Sequence, residues 1–218
     1  MTEGNEKKTL LDFKGMDFTS LSLEDRIAFS VAQGVSETGM QPDELIAMND
    51  ALSMLEPNPT ILELGQCTGT STRFLLTYVL SHSGTLHSIE QNLRRDFFDA
   101  MVDLGLWDKF TTYVNNTQTI HWQGGIDFLL IDTEHTIADA LGEYCRFRGF
   151  LNKHAIIGFH DAWEIPGVRR AIEIVQEIDE IKEIARSPRG VGFGIRLFKL
   201  MEKNKGCYHQ RPESIEEM

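Results

Sequence analysis

The sequence predicts one α/β domain with a doubly wound, mostly parallel, seven-stranded sheet that follows a helical extension. From Thr60 onward, short apolar segments alternate with longer segments of helical period, a pattern typical of right-handed β-α-β crossovers. The last two apolar segments have no helix between them and therefore predict an antiparallel hairpin at one sheet edge. The 218 residues suffice for one such domain with a sizeable core.

Seven apolar segments predict the strands: Thr60–Leu64, Thr85–Ile89, Phe110–Val114, Phe128–Ile131, Ala155–Phe159, Ile181–Ala185 and Gly192–Lys199. Hydrophobic residues at helical spacing predict the crossover helices Ser71–Leu80, Leu93–Leu104, Ile137–Gly149 and Val168–Ile178. Two further helices, Leu23–Val35 and Pro42–Leu55, precede the first strand, and the prolines at 57 and 59 end the second of them. We therefore expect three regions: an N-terminal helical cap (1–56), the main domain (57–200) and a polar, fraying tail (201–218).

Composition limits the classes of partner. The formal net charge of −12 disfavours nucleic acid, whose binders present basic surfaces. No apolar run approaches the roughly 18–20 residues of a membrane span, and the N-terminus has no signal-peptide pattern. The three cysteines form neither a C-x-x-C pair nor a disulfide framework. We expect a cytoplasmic protein that acts on a small molecule, and the sequence leaves open whether it forms a homo-oligomer.

A glycine-bearing turn links the first strand to its helix and predicts a ligand site. Gly65 allows a sharp turn and a close backbone approach, and Gly69 brings the loop to the helix. The helix start presents free N–H groups that attract a carboxylate or a phosphate. Glu90 ends the second strand, where an acid typically holds ribose hydroxyls. Both S-adenosylmethionine and NAD fit this pair of signals, and a purely structural turn with a solvated glutamate is the alternative.

Several motifs together resemble one family. The glycine turn reads E-L-G-Q-C-T-G-T-S over residues 63–71, and the second strand ends in S-I-E. The fourth strand, I-D-F-L-L-I-D-T-E-H over 126–135, resembles I-D-x-x-x-I-D-G-D-H, and 156–161 resembles the segment that ends in H-D. The segments P-G-V-R-R-A (166–171) and G-V-G-F-G-I-R-L-F (190–198) match in order. The chain therefore resembles the methyltransferase 24 family of class I S-adenosylmethionine-dependent methyltransferases, with a Rossmann-like methyltransferase fold.

The resemblance implies a cofactor site for S-adenosylmethionine and methyl transfer to a small-molecule hydroxyl. Glu63, Gly65, Thr68, Gly69 and Ser71 would line the methionine end of the cofactor. Glu90 would hold the ribose, Asn116 and Thr117 would lie near the adenine, and Asp132 would lie near the reacting methyl group. The chain departs from the family pattern at Cys67, where a second glycine is usual.

Three side chains at strand ends form a candidate metal site. Asp132 follows the fourth strand, and His160 and Asp161 follow the fifth, so they lie at the edge where ligands gather in open α/β sheets. By resemblance to catechol-type O-methyltransferases, these positions hold a magnesium ion that would lower the pKa of the acceptor hydroxyl. A histidine among the ligands favours manganese or iron instead.

His135 and Asp132 are the candidate catalytic residues. His135 stands where catechol-type enzymes carry the catalytic lysine, and a histidine is suited to removing a proton near neutral pH. Glu134 is a candidate to orient it or to add to the metal site. His135 could instead cap the following helix, and His160 could be structural. An NAD-dependent oxidoreductase and a non-catalytic cofactor-binding module are the alternative functions, although the oxidoreductase would prefer a G-x-G-x-x-G turn.

Overall fold

A computed structural model describes residues 8–32, 39–190 and 192–204 as a seven-stranded sheet covered by helices on both faces. The strands are β1 (Thr60–Leu64), β2 (Thr85–Glu90), β3 (Thr111–Val114), β4 (Ile126–Ile131), β5 (Leu151–Phe159), β6 (Asp179–Arg186) and β7 (Arg196–Lys203). The helices are α1 (Leu23–Ser30), α2 (Pro42–Leu52), α3 (Thr70–His82), α4 (Arg95–Asp103), α5 (Ile137–Phe147) and α6 (Pro166–Ile178). Short 3₁₀ helices occupy Leu10–Phe13, Trp107–Lys109 and Arg148–Phe150.

The sheet order is β3-β2-β1-β4-β5-β7-β6, and β1 to β5 pair in parallel. β7 inserts between β5 and β6 and pairs antiparallel with both. The predicted α/β fold class, the doubly wound sheet and the C-terminal hairpin are therefore confirmed. Because chain order reverses between β1 and β4, their carboxyl ends flank the crevice where open α/β sheets bind ligands.

Apolar residues alternate between two cores, one on each face of the sheet. In β4, Phe128 and Leu130 face a core formed with α1 to α4, whereas Leu129 and Ile131 face a core formed with α5 and α6. This two-sided burial explains why the central strands read as continuous apolar runs. Among the described residues, no helix combines the length and the apolar character that crossing a membrane would require.

Several predicted boundaries were wrong by up to five residues. α1 ends at Ser30, short of the predicted Val35, which lies outside the described residues. α2 ends at Leu52 rather than Leu55. β7 begins at Arg196 rather than Gly192 because Gly192 and Gly194 have φ of 59° and 87°, which is incompatible with an extended strand.

The N-terminal residues pack against the main domain. Phe13 and Phe18 lie against Phe29 of α1, with ring centroids 5.2 and 4.9 Å away. The Tyr78 hydroxyl of α3 donates to the Leu52 carbonyl at 2.6 Å, and the buried Arg73 guanidinium donates to the Ser30 carbonyl. The described residues that precede β1 therefore contribute to the larger core.

A buried ion pair joins both ends of the C-terminal hairpin to α5. Asp179 is 1% exposed and accepts from the Tyr144 hydroxyl, the Arg148 guanidinium and the Asn204 backbone N–H. Burial alone would raise the pKa of Asp179, but hydrogen bonds from Arg148 and Tyr144 lower it below 3.8. The carboxylate is therefore charged at neutral pH, and its three partners tie β6 and the end of β7 to the helical layer.

The substitution Asp179→Asn should lower the free energy of unfolding at pH 7 by about 3–5 kcal/mol, because it removes the buried carboxylate that the Arg148 guanidinium contacts. Asp179 has a lowered pKa, so its contribution is full above the unfolded-state pKa and is lost as pH falls through the folded-state pKa. The difference in the free energy of unfolding between wild type and variant should therefore become smaller below about pH 4. Urea unfolding at several pH values measures it, with the exposed Asp108→Asn as the control. Equal free energies of unfolding for wild type and Asp179→Asn at pH 7 would contradict the prediction.

Candidate functional site

Four strand ends converge at the carboxyl edge of the sheet. In the β1–β2, β1–β4 and β4–β5 registers, Leu64 pairs with Ile89 and Ile131, and Ile131 pairs with Phe159. The residues that follow these positions are Gly65, Glu90, Asp132 and His160. The parallel register therefore brings four of the predicted site residues to one edge.

The glycine turn lies directly against the end of β4. Gly65 has φ of 88°, and a Cβ added to it would lie 1.9 Å from the Asp132 carbonyl oxygen. Its N–H donates to the Ile89 carbonyl at 2.9 Å, while the Asp132 N–H donates to the Leu64 carbonyl at 2.9 Å. Both the conformation and the contact exclude any side chain at residue 65.

The second glycine of the turn begins α3. Gly69 has φ of 76°, and a Cβ there would lie 2.0 Å from the Phe97 ring of α4. Thr68 and Ser71, on either side of it, are buried, and Ser71 hydrogen-bonds the Glu63 side chain. These buried side chains support the turn from the protein interior.

Cys67 occupies the strained position of the same loop. Its φ is 41°, a left-handed conformation that disfavours residues with a Cβ. Its thiol is free and exposed, and it lines the cavity described below. This geometry explains why glycine is the usual residue there in the family pattern.

Glu90 fixes the loop from the end of β2. One oxygen, Oε2, accepts from the backbone N–H groups of Gln66 and Cys67, each at 2.9 Å, and Oε1 accepts from the Asn92 N–H at 2.8 Å. Oε1 still has a lone pair to offer to a ligand hydroxyl. Glu90 lines the same cavity, as its predicted role as a ribose ligand requires.

Glu63 lies beneath the loop rather than in the cavity. It is fully buried, and its Oε2 accepts from the Thr72 and Ser88 hydroxyls, each at 2.7 Å. Burial raises the pKa of Glu63 to about 7, although the hydrogen bonds from Ser71, Ser88 and Thr72 oppose the shift. Contact with the methionine end of a cofactor stays a prediction for this residue, and its observed contacts support the loop.

A cavity of about 240 Å³ opens between the glycine turn, the ends of β2 to β4 and the start of α5. Of the predicted site residues, it contains Gly65, Glu90, Asn116, Thr117 and Asp132, together with Glu134. Thr68, Gly69, Ser71 and Glu63 do not line it. Five of the lining residues carry carboxylates and none is a lysine or an arginine: Glu90, Asp132, Glu134, Asp139 and Glu143. The walls of this cavity are therefore strongly acidic.

Glu143 is a site residue that sequence reasoning missed. It is 1% exposed, yet it lines the cavity, and its two oxygens accept from the Thr117 and Thr133 hydroxyls at 2.6 and 2.7 Å. Burial raises its pKa, while the two hydrogen bonds oppose that rise. A signal did exist: Glu143 shares the buried stripe of α5 with Ala140, Tyr144 and Phe147, where a carboxylate is unusual.

Asp132, His135 and Asp161 form the cluster that could hold a metal ion. One ligand atom from each lies within 4.8 Å of the others. His135 Nε2 contacts Asp161 Oδ2. Burial would raise the pKa of Asp161, but hydrogen bonding from His160 and the charges of His160 and His135 lower it. The structure thus brings the predicted base close to both predicted acidic ligands.

His160 lies behind this cluster, where carboxylates face both ring nitrogens. Its Nδ1 is 2.9 Å from Asp132 Oδ1 and 3.4 Å from Asp161 Oδ1, and its Nε2 is 3.4 Å from Glu44 Oε1. Burial disfavours the charged ring, but Asp132 above all, with Asp161 and Glu44, raises the pKa of His160 well above 6.5. A protonated ring has no lone pair for a metal, so the geometry favours a supporting role, and metal ligation by His160 stays a prediction.

Glu44 is a second residue that sequence reasoning missed. It lies in the first turn of α2, is 1% exposed, and accepts from the backbone N–H groups of Gln41 and Gly194, each at 2.6 Å. Its carboxylate therefore connects the N-terminal helices, the β6–β7 loop and His160. Its place on the buried face of α2 with Met48 and Leu52 was the available signal.

The comparisons with known proteins agree with this geometry. The model of the methyltransferase 24 family, described as a methyltransferase domain, matches residues 62–162. No curated protein sequence matches the chain.

Solved structures share the fold at low sequence identity. An O-methyltransferase from Bacillus cereus in complex with S-adenosylhomocysteine is 17% identical, with 85% of this chain and 91% of that chain covered and a TM-score of 0.58. An S-adenosylhomocysteine-bound methyltransferase from Podospora anserina is 13% identical, with 83% and 88% covered and a TM-score of 0.64. The Methanococcus jannaschii fibrillarin pre-rRNA processing protein is 14% identical, with 75% and 77% covered and a TM-score of 0.55.

The pKa of Glu63 predicts a specific pH dependence of stability. A carboxyl whose pKa rises from 4.5 to about 7 on folding stabilises the fold fully below pH 4.5, and this contribution is lost as pH rises to 7. Relative to that of Glu63→Gln, the free energy of unfolding of the wild type should therefore fall by about 3 kcal/mol across that interval. Urea unfolding of both proteins from pH 4.5 to 8 measures this, with the exposed Glu180→Gln as the control. Parallel stability curves for wild type and Glu63→Gln would refute the prediction.

Residue 67 should tolerate glycine better than alanine. Both substitutions remove the thiol, but only glycine adopts a positive φ without steric cost, so Cys67→Gly should be more stable than Cys67→Ala by about 1 kcal/mol. The midpoints of urea unfolding at pH 7 give this difference directly. If the alanine variant proves equally stable, the loop does not hold residue 67 in the left-handed conformation.

Proposed function

Residues 62–162 carry a methyltransferase domain of the methyltransferase 24 family, and on this premise we propose that the protein transfers a methyl group from S-adenosylmethionine to a hydroxyl group of a small molecule. The observation that carries the proposal is the acidic cavity beside the glycine turn, with five carboxylates and neither lysine nor arginine in its lining. S-adenosylmethionine brings a sulfonium cation, which an acidic surround stabilises. The pyrophosphate of NAD brings negative charge, which the same surround repels.

The donor groups of the cavity fit an adenosyl cofactor. Glu90 at the end of β2 presents an oxygen for ribose hydroxyls, and Asn116 and Thr117 extend the cavity away from the glycine turn. When bound, the cofactor supplies an activated methyl group with a good leaving group. Catalysis then depends mainly on how the protein aligns the acceptor oxygen with that methyl group.

Asp132, His135 and Asp161 are proposed to manage the proton of the acceptor hydroxyl. His135 is half-exposed and contacts the buried Asp161, an arrangement that orients a general base. Asp132, at the end of β4, lies close to both residues. His160, held between Asp132 and Glu44, keeps the Asp132 carboxylate in place.

The same three side chains also fit a divalent cation. Two carboxylates and an imidazole suit manganese or iron, and the carboxylates also suit magnesium. Such an ion would lower the pKa of the acceptor hydroxyl and orient its oxygen. His135 would then act as a ligand instead of the base, so metal titration distinguishes the two arrangements.

The acceptor is proposed to be a small molecule and not RNA, although the fold also occurs in fibrillarin. A chain with a net charge of −12 lacks the basic balance that phosphate backbones require. A cytoplasmic location is part of this proposal. A role as a cofactor-binding module without catalysis would be favoured if no acceptor were methylated.

Calorimetric titration with S-adenosylhomocysteine tests the cofactor. We expect micromolar binding to the wild type, no binding of NAD, and about tenfold weaker binding to Glu90→Ala, which loses the ribose contact at a cost near 1.4 kcal/mol. Glu164→Ala, an exposed acid outside the cavity lining, is the control. Binding of NAD without S-adenosylhomocysteine would overturn the methyltransferase proposal.

Titration of the cofactor-bound protein with Mn²⁺ and Mg²⁺ tests the metal arrangement. Binding heat that disappears in both Asp132→Ala and Asp161→Ala would assign the cation site. If no cation binds, His135 is the base, and His135→Ala should lower turnover by about 10²–10⁴-fold without weakening S-adenosylhomocysteine binding. The acceptor panel for turnover should contain phenols, sugars and polyketide alcohols.

A further inference from the structure

Arginine side chains gather at the indole ring of Trp163, which is 8% exposed. The guanidinium carbons of Arg189, Arg196 and Arg186 lie 4.7, 5.3 and 5.8 Å from the ring centroid, within the range of a cation–π interaction. A fourth guanidinium, that of Arg169, donates to the Trp163 carbonyl at 2.9 Å. Positive charge is therefore concentrated at one place in a chain whose formal net charge is −12.

The carboxylate of Glu183 offsets only part of this charge. Its Oε1 is 3.3 Å from the Arg186 guanidinium, and its Oε2 accepts from Arg196 Nε at 2.8 Å. Arg189 is exposed, and within the described ranges no acid forms an ion pair with it. One carboxylate thus faces three guanidinium groups that stay charged at any physiological pH.

The strand register adds to the repulsion within the cluster. Arg186 and Arg196 are directly opposite each other in the antiparallel β6–β7 pair, and like charges in that arrangement destabilise a sheet. The planar guanidinium group can donate two parallel hydrogen bonds to a carboxylate or a phosphate. An anion bound among these side chains would therefore be held strongly and would offset their mutual repulsion.

The arginines lie beside the proposed reaction centre. Trp163 follows Asp161 by two residues, a backbone span of at most about 7 Å. The N–H groups of Ala162 and Trp163 donate to the carbonyls of Gly194 and Phe193 at 2.9 and 3.1 Å, so the β6–β7 loop is fixed to the segment that follows Asp161. An acceptor whose hydroxyl lies at Asp161 would therefore have the arginines on one side of it.

We propose that Arg189, with Arg186 and Arg196, binds a negatively charged group of the methyl acceptor, either a carboxylate or a phosphate. The inference rests on the proposed methyl transfer and adds to it the class of acceptor, a hydroxyl compound that also carries an anionic group. Trp163 acts as a positioning residue, because its ring holds the guanidinium groups side by side. Since the cluster is small and the rest of the chain is acidic, a single anionic group fits it better than a polyanion.

The experiment uses two pairs of compounds, and the members of each pair differ in one anionic group. The pairs are 3,4-dihydroxycinnamate with its amide, and glucose 6-phosphate with glucose. Each compound is titrated calorimetrically into the wild type, Arg189→Gln and Arg170→Gln, all saturated with S-adenosylhomocysteine. Arg170 is the matched control, because it is an exposed arginine of α6 that pairs with Glu173 and its loss changes the net charge equally. Thermal unfolding of each variant reports whether the fold is intact.

We expect the wild type to bind the charged member of at least one pair about tenfold more tightly than the neutral member. Arg189→Gln should reduce this ratio about fivefold, whereas Arg170→Gln should leave it unchanged. The pair that shows the preference identifies the anionic group as a carboxylate or a phosphate. The wild-type ratios need no variant, so they test the proposal even if Arg189→Gln folds poorly.

The proposal is overturned if the wild type prefers neither charged compound, which includes the case in which none of the compounds binds. An unchanged ratio in Arg189→Gln also overturns it, as does an equal change in Arg170→Gln, which would assign the effect to general charge. The methyltransferase proposal fails separately, if the wild type does not bind S-adenosylhomocysteine in the preceding titration. In that case binding of the anions alone would refute the role in acceptor recognition, so the two failures are distinguishable.

Discussion

The contact between the glycine turn and the end of β4 is the constraint on which the rest of the site depends. Because residue 65 has no side chain, the backbone after β1 lies against the Asp132 carbonyl, where a Cβ would approach within 1.9 Å. The same approach brings the loop N–H groups to Glu90 and places Asp132 in the lining of the cavity. Any side chain at residue 65 would separate β1 from β4 and move the cofactor wall away from the proposed reaction centre.

Buried carboxylates connect many of the remaining elements of the structure. Glu63 supports the loop from below, Glu44 connects α2 with the β6–β7 loop and His160, and Asp179 fixes the hairpin to α5. Each is hydrogen-bonded, as burial of a polar group requires. Only Asp179 pairs closely with an arginine, whereas Glu63 accepts from neutral hydroxyl groups and pays for burial with a raised pKa.

The sequence predicted the strands, the mostly parallel sheet with its C-terminal hairpin and the edge where the site forms, because two-sided burial gives parallel strands a clear apolar signal. The four strand-end residues followed from that topology. The sequence patterns predicted His160 in the metal site and His135 as the base, whereas the group that could hold a metal ion contains His135. Both histidines lie near Asp132, and the distinction depends on ring orientation. Glu44 and Glu143 were missed because an acid in an amphipathic helix normally faces solvent. Only their helical spacing, which places them on the apolar face, indicates that they are buried.

Charge balance connects the proposed chemistry with the architecture. The carboxyl groups of Asp132, Asp161 and Glu44 surround His160, so three acids face one imidazole ring. The cavity beside them adds further carboxylates without a lysine or an arginine in its lining. Acids gathered in this way attract a cation. A sulfonium at the methyl-donor position and a divalent ion between Asp132 and Asp161 would each supply positive charge where it is lacking. The electrostatics of the fold and the proposed reaction therefore impose the same requirement.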